Sequence, residues 1–168
     1  YIEKHSNIKN QEVINELLSV GDNQAINIIE KFFKNKGIKI LPVHSILENC
    51  FFPKGFYGDE FSKLTFKKYV EKSAEYGINL LNTISKFDIG QSLILSNNLV
   101  YAIEGLEGTN TMIGRVKKLL SENQIFNLYG PVLVKIPKLG QNKKIDLPVI
   151  GVETVKKSIA AGISAIVI

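Results

Sequence analysis

The sequence predicts an α/β fold: a mixed β-sheet with flanking helices and one hairpin. Three observations carry that expectation. Apolar, strand-like runs alternate with segments of helical period along the chain. Two of the runs, 92–95 and 99–103, are joined by Asn97-Asn98, and asparagine tolerates the positive φ that a tight hairpin needs. The 168 residues are 45% apolar and 22% charged, which is enough to build a core.

Taken in order, residues 1–20 are polar and weakly helical, with Ile14, Leu17 and Leu18 apolar. Gly21-Asp22 opens a helix. Asp22 can cap its free N–H groups, and Ile26, Ile29 and Phe33 recur at helical spacing. Gly37 closes that helix. Residues 38–43 read as a strand and 44–49 as a short helical turn. Residues 50–63 hold Pro53, Gly55, Gly58 and exposed-looking aromatics, which reads as a linker. A long helix follows over 65–86, with Val70, Ala74, Ile78 (or Gly77), Leu81 and Ile84 on one face. After the hairpin, Thr109 or Asn110 caps a helix that turns Ile113, Val116, Leu119 and Leu120 inward. Residues 132–136 read as a strand, 137–151 as loop, 154–161 as a helix ending at Gly162, and 163–168 as a strand. No repeat or low-complexity tract is visible.

Composition narrows the function. Cys50 is the one cysteine, so no internal disulfide forms and a reducing compartment is expected. A Cys/His metal cluster cannot be assembled from Cys50, His5 and His44. A His44–Cys50 nucleophilic pair fits on spacing alone, but a buried thiol and a loop histidine are the simpler reading. No apolar run reaches the ~18 residues that span a bilayer, and no signal peptide is visible. The chain starts at Tyr1 and stops within a strand-like run, so it reads as an internal fragment. The net charge is +5 and the pI about 9.2, which favours anionic partners. The lysine pairs are not interleaved with aromatics and no nucleic-acid motif appears, so nucleic acid is not an expected partner.

Two polar segments carry the chemistry. Glu104 and Glu107 sit three apart where a strand ends. Such a pair can hold Mg²⁺, which shares its oxygen ligands with substrate phosphates, or can belong to a solvated turn that caps the next helix. Gly108-Thr109-Asn110 precedes a helix, whose free N–H groups favour an anion. Arg115 lies within reach of the same anion, or is a surface arginine beside an ordinary cap. Lys135 stands at the end of an apolar strand. It snorkels to the surface or points at a phosphate. Gln141, Asn142, Lys143 and Lys144 make a cationic loop. Asp146 follows among apolar residues, placed to ligate metal or orient a water, or to tie down the loop.

The pattern Asp88-x-Gly90-Gln91, Glu104-x-x-Glu107-Gly108-Thr109, Met112, Arg115, Val134-Lys135, Gln141 and Asp146-Leu147-Pro148-x-Ile150-Gly151-x-x-Thr154 resembles the LpxI-type UDP-2,3-diacylglucosamine pyrophosphatases of lipid A biosynthesis. The order and spacing agree from about Gly21 to Ile168. The resemblance implies a Mg²⁺-dependent hydrolase at the cytoplasmic face of a Gram-negative inner membrane. It would convert UDP-2,3-diacylglucosamine to UMP and 2,3-diacylglucosamine 1-phosphate (lipid X), with water attacking the sugar-side phosphorus. It implies a remnant of a nucleotide-binding-like domain and linker over 1–63, a catalytic domain over 64–168, and a homodimer in the full-length protein. Asp146 matches the family's catalytic aspartate and would also hold metal, with Glu104 and Glu107. Gln91, Thr109, Asn110, Arg115, Lys135, Gln141 and Lys144 would surround the diphosphate. Three positions depart from the family. Asn110 stands where Asp is usual, Asn142 where an acid is frequent, and Lys144 where Arg is usual. These departures motivate an alternative: a non-catalytic module that binds lipid X or a UDP-sugar. A basic surface suits work beside anionic lipid, where each nearby lysine contributes about 1 kcal/mol.

Overall fold

A computed structural model describes residues 11–20, 22–42, 45–46, 53–123, 128–138 and 148–168. They form two units, one within residues 1–51 and one within 52–140 and 147–168. The first holds helices α1 (Gln11–Leu18) and α2 (Asp22–Asn35), packed on each other. Ile14 is buried. On α2 the better-covered side chains are Ala25, Ile26, Ile28 and Phe32, whereas Ile29 and Phe33 are exposed. The apolar stripe is rotated from the expected one because Ala25-Ile28-Phe32 has the same helical period. Gly37 ends the helix region at φ 75°, as expected. The strand expected over 38–43 does not form in its described part. Residues 38–42 have no strand conformation, and Ile38 and Leu41 are exposed. Among the described residues of this unit no strand lies beside the run to take its backbone hydrogen bonds. His44, Cys50 and most of the expected 44–49 turn lie outside the described residues.

The second unit is built on a mixed sheet of four strands. They are β1 (Ser92–Ser96), β2 (Leu99–Ile103), β3 (Val132–Lys135) and β4 (Ala165–Val167), in the order β2-β1-β3-β4. β1 is antiparallel to β2 and to β3, and β3 is parallel to β4. The hairpin turns at Asn97, which takes φ 52°, and a register shift beside Ile94 leaves Tyr101 as the extra residue of a bulge.

Both faces of the sheet are covered, which is why β1 and β3 read as continuous apolar runs rather than alternating ones. Helix α3 (Leu64–Ile84) covers one face. Its Phe66, Tyr69, Val70 and Leu81 meet Leu93, Leu95, Val132 and Val134. Gly77 sits against the strands, where a Cβ would lie 3.1 Å from Val134 and 3.2 Å from Leu93. A glycine there sets how closely helix and sheet approach. Ile94 and Leu133 point the other way, towards Met112, Ile113 and Val116 of α4 (Thr109–Asn123). Helix α5 (Val152–Ala160), the crossover from β3 to β4, packs on α4.

The segment read as a linker is more ordered than its composition suggests. It contains a 3₁₀ turn at Asp59–Ser62. Phe61 packs on Phe66 at 5.2 Å, beginning an aromatic cluster that continues to Tyr69 and Tyr129. Aromatic pairing of this kind adds to area burial.

Leu93 lies in inner strand β1 and is fully buried, whereas Leu99 opens edge strand β2 beside the hairpin turn and is 60% exposed. Leu93→Ala should cost about 2–5 kcal/mol in urea unfolding, and Leu99→Ala no more than about 0.5 kcal/mol. Equal costs would contradict this strand arrangement.

Candidate functional site

The antiparallel pairing brings the start of β1 and the ends of β2 and β3 to one end of the sheet. The N-termini of α4 and α5 arrive there too. Glu104 follows β2 directly. Its N–H donates to the Ser92 carbonyl at 2.9 Å, extending the hairpin ladder by one bond. Gly90 makes the approach possible, since a Cβ there would lie 2.1 Å from the Glu104 carbonyl oxygen.

The Glu104 side chain is buried at 8% exposure. Its Oε2 accepts from the Ser92 hydroxyl at 2.7 Å and the Gln91 N–H at 3.3 Å. Its Oε1 accepts from the Thr109 hydroxyl at 2.8 Å. That same hydroxyl oxygen accepts from Lys135 Nζ at 3.1 Å. Thr109 therefore links a buried cation to a buried anion. A buried charge left unpaired is costly, so each of these groups needs the others. Lys135 is buried at the end of β3, directly opposite Ser92 in register. It does not snorkel to the surface. An ammonium has three donors, and the Thr109 bond uses one of them.

The helix cap takes a different form from the expected one. The Gly108 carbonyl accepts the first helical bond, from Met112 N–H at 3.1 Å, so Thr109 is already inside α4. Neither Thr109 nor Asn110 caps it. Thr109 is drawn to the Glu104 carboxylate, and Asn110 Oδ1 accepts from Thr154 of α5 at 2.9 Å. That role requires an oxygen and no charge.

Glu107 and Arg115 belong to a separate contact. Arg115 Nη2 donates to Glu107 Oε1 at 2.6 Å and to the Ile103 carbonyl at 3.2 Å. The structure thus gives the two glutamates different partners. Its own backbone N–H, then the Arg115 guanidinium, hold the Glu107 carboxyl below its ordinary range. Gln91 lies at the same sheet end, with its Oε1 buried and without a partner among the described residues. Gln141, Lys144 and Asp146 lie outside the described residues.

Some partners had no signal of their own in the sequence. Ser92 reads as one more residue of a strand, and only its register opposite Lys135 reveals it. Lys138, buried, forms an ion pair with Asp88. Asp88 takes the left-handed conformation where the 3₁₀ turn after α3 ends.

The described residues contain no cluster of three or more His, Cys, Asp or Glu. Mg²⁺ does not need one, because one or two carboxylates with substrate phosphates commonly hold it. Among the described residues three donors reach Glu104, one fewer than the roughly four a carboxylate accepts. A carboxylate of this kind fits a divalent cation shared with phosphate, beside an ammonium that spends one donor among the described residues.

Residues 59–168, which contain this whole cluster, match the family model of the LpxI C-terminal domain. The chain belongs to the LpxI family. Over 149 residues it is 30% identical to the UDP-2,3-diacylglucosamine pyrophosphatase LpxI of Caulobacter vibrioides, covering 88% of this chain and 51% of that protein. The chain spans about half the length of the curated relative it matches. Among the described residues no helix is long and apolar enough to cross a membrane.

With its carboxyl held low, Glu107 in this LpxI-family chain stays ionised, and paired, at neutral pH. The pair is lost only as pH falls through that lowered value. Carboxyl-detected NMR titration should place Glu107 below the ordinary glutamate range. Arg115→Ala should move it upward but not all the way, since the backbone donors remain. An unmoved titration would show that Arg115 does not hold the carboxyl.

Proposed function

We propose that this chain carries the catalytic part of a Mg²⁺-dependent hydrolase. The enzyme cleaves the diphosphate of UDP-2,3-diacylglucosamine to UMP and lipid X in lipid A biosynthesis. One observation carries this reading: a family match that encloses a buried Lys135–Thr109–Glu104 chain. The relative's name supplies the substrate.

Diphosphate hydrolysis asks for positioning and charge neutralisation more than for covalent chemistry. In this reading Lys135 presents its remaining donors to phosphate oxygens, and Thr109 keeps that ammonium aimed. Glu104 and Asp146 would hold Mg²⁺, which supplies charge neutralisation on the phosphate when bound. Gln91, Asn110, Gln141 and Lys144 would line the diphosphate. Asp146 orients a water and takes its proton. The water oxygen bonds to the sugar-side phosphorus, the bond from that phosphorus to the bridging oxygen breaks, and UMP leaves with the bridging oxygen. Residues 1–63 would be the remainder of a nucleotide-binding-like domain with its linker, and 64–168 the catalytic domain. The full-length homodimer would work at the cytoplasmic face of the inner membrane.

The full-length parent protein should release UMP from UDP-2,3-diacylglucosamine with Mg²⁺ and stop on addition of EDTA. Asp146→Ala should lower the rate about 10³-fold while the fold and lipid X binding persist. Near-normal turnover by that variant would overturn the mechanism. Lipid X binding without UMP release by the parent protein would overturn the hydrolase reading in favour of a non-catalytic binding module.

A further inference from the structure

The Arg115–Glu107 pair touches more of the chain than an ordinary surface ion pair. Arg115 Nη2 bonds both Glu107 and the Ile103 carbonyl. Glu107 in turn faces the N–H groups of its own residue and of Gly105. Its carboxylate lies so close over Gly105 that a Cβ there would sit 2.8 Å from Oε2. One ion pair thus gathers backbone groups on both sides of Glu104. The loop includes Gly105 and Gly108, the latter at φ 78°, and glycine confers conformational freedom that something must remove.

The pair sits on the edge-strand side of the loop that carries Glu104. Arg115 lines a shallow groove with Tyr101, Lys118, Leu119 and Glu122, beside edge strand β2. Lys135 is buried on β3, with β1 between. Arg115 is 56% exposed and Glu107 31%. Arg115 Nη2 is committed both to the Glu107 carboxylate and to the Ile103 carbonyl, which anchors the guanidinium to the loop itself.

We infer that Arg115 and Glu107 are a positioning pair: they hold the loop from Ile103 to Gly108 so that Glu104 and Thr109 meet Lys135, and neither touches the diphosphate. Exposed ion pairs contribute little as isolated contacts. This one acts by fixing a backbone segment, and small displacements of site groups cost disproportionate activity. The catalytic consequence rests on the hydrolase reading above; the structural consequence does not.

The test compares Glu107→Ala, Arg115→Ala and the double variant in the full-length parent protein. It measures UMP release from UDP-2,3-diacylglucosamine, and amide hydrogen exchange. Each single variant should lower kcat about tenfold with little change in KM. The double variant should be no worse than either, because the two act as one unit. Exchange over residues 103–109 should quicken several-fold, while β1 and β3 stay protected. A diphosphate-gripping Arg115 gives a different pattern: Arg115→Ala raises KM, and Glu107→Ala is neutral or activating. That pattern overturns the inference. Unchanged exchange in both single variants, or exchange quickened throughout the chain, also overturns it. If the unsubstituted protein releases no UMP, the hydrolase reading fails, and the exchange pattern still decides whether the pair holds the loop.

Discussion

A carboxylate taken out of water must be met by hydrogen-bond donors, and Glu104 is met from three directions. The Gln91 N–H and Ser92 hydroxyl come from the start of β1. The Thr109 hydroxyl comes from α4. Lys135 of β3 joins through Thr109. Losing any of these donors leaves a buried charge undersatisfied, which costs more than an ordinary hydrogen bond contributes. Hairpin, inner strand and helix are therefore held in one register by a polar constraint at the sheet end, in addition to the apolar constraint along its faces.

The apolar layers make that arrangement possible. Leu93, Leu95, Val132 and Val134 pack under α3, and Ile94 and Leu133 under α4. These positions fix which side chains of β1 and β3 point to each face, because a one-residue slip would exchange the faces. The same parity sends Ser92 and Lys135, which are paired in register, towards α4 and Glu104. Gly90 completes the geometry by letting two backbones meet where any side chain would collide. The buried polar groups thus sit on rigid elements, and the Arg115–Glu107 pair bonds to the connecting loop from outside.

Much of this was legible in the residues. Alternating runs of different period announced a mixed sheet with helices, and Asn97-Asn98 announced the hairpin. Glu104, Thr109 and Lys135 stood out because charge at a strand end and a hydroxyl at a helix start are not required by a core. Their mutual partnership was not legible, since it depends on the β1–β3 register, a non-local pairing. Thr109 illustrates the limit. Local chemistry favours it as a helix cap, but Gly108 supplies the first helical carbonyl, and the Thr109 hydroxyl donates to Glu104 while its oxygen accepts from Lys135. The 38–42 run forms no strand for the converse reason: β propensity yields a strand only beside a partner, and the described residues of its unit hold none. The pairing of Arg115 with Glu107 likewise depends on how α4 leaves its loop, which no spacing rule specifies.

The central claim is that the negative charge of Glu104 organises a cation and phosphate site. Glu104→Gln in the full-length parent protein tests it most directly, because the amide preserves size and most hydrogen-bonding capacity while removing the charge. The account predicts unchanged secondary structure with Mg²⁺-dependent UMP release reduced about 10²-fold or more. A well-folded Glu104→Gln protein that turns over UDP-2,3-diacylglucosamine at the unsubstituted rate would contradict it.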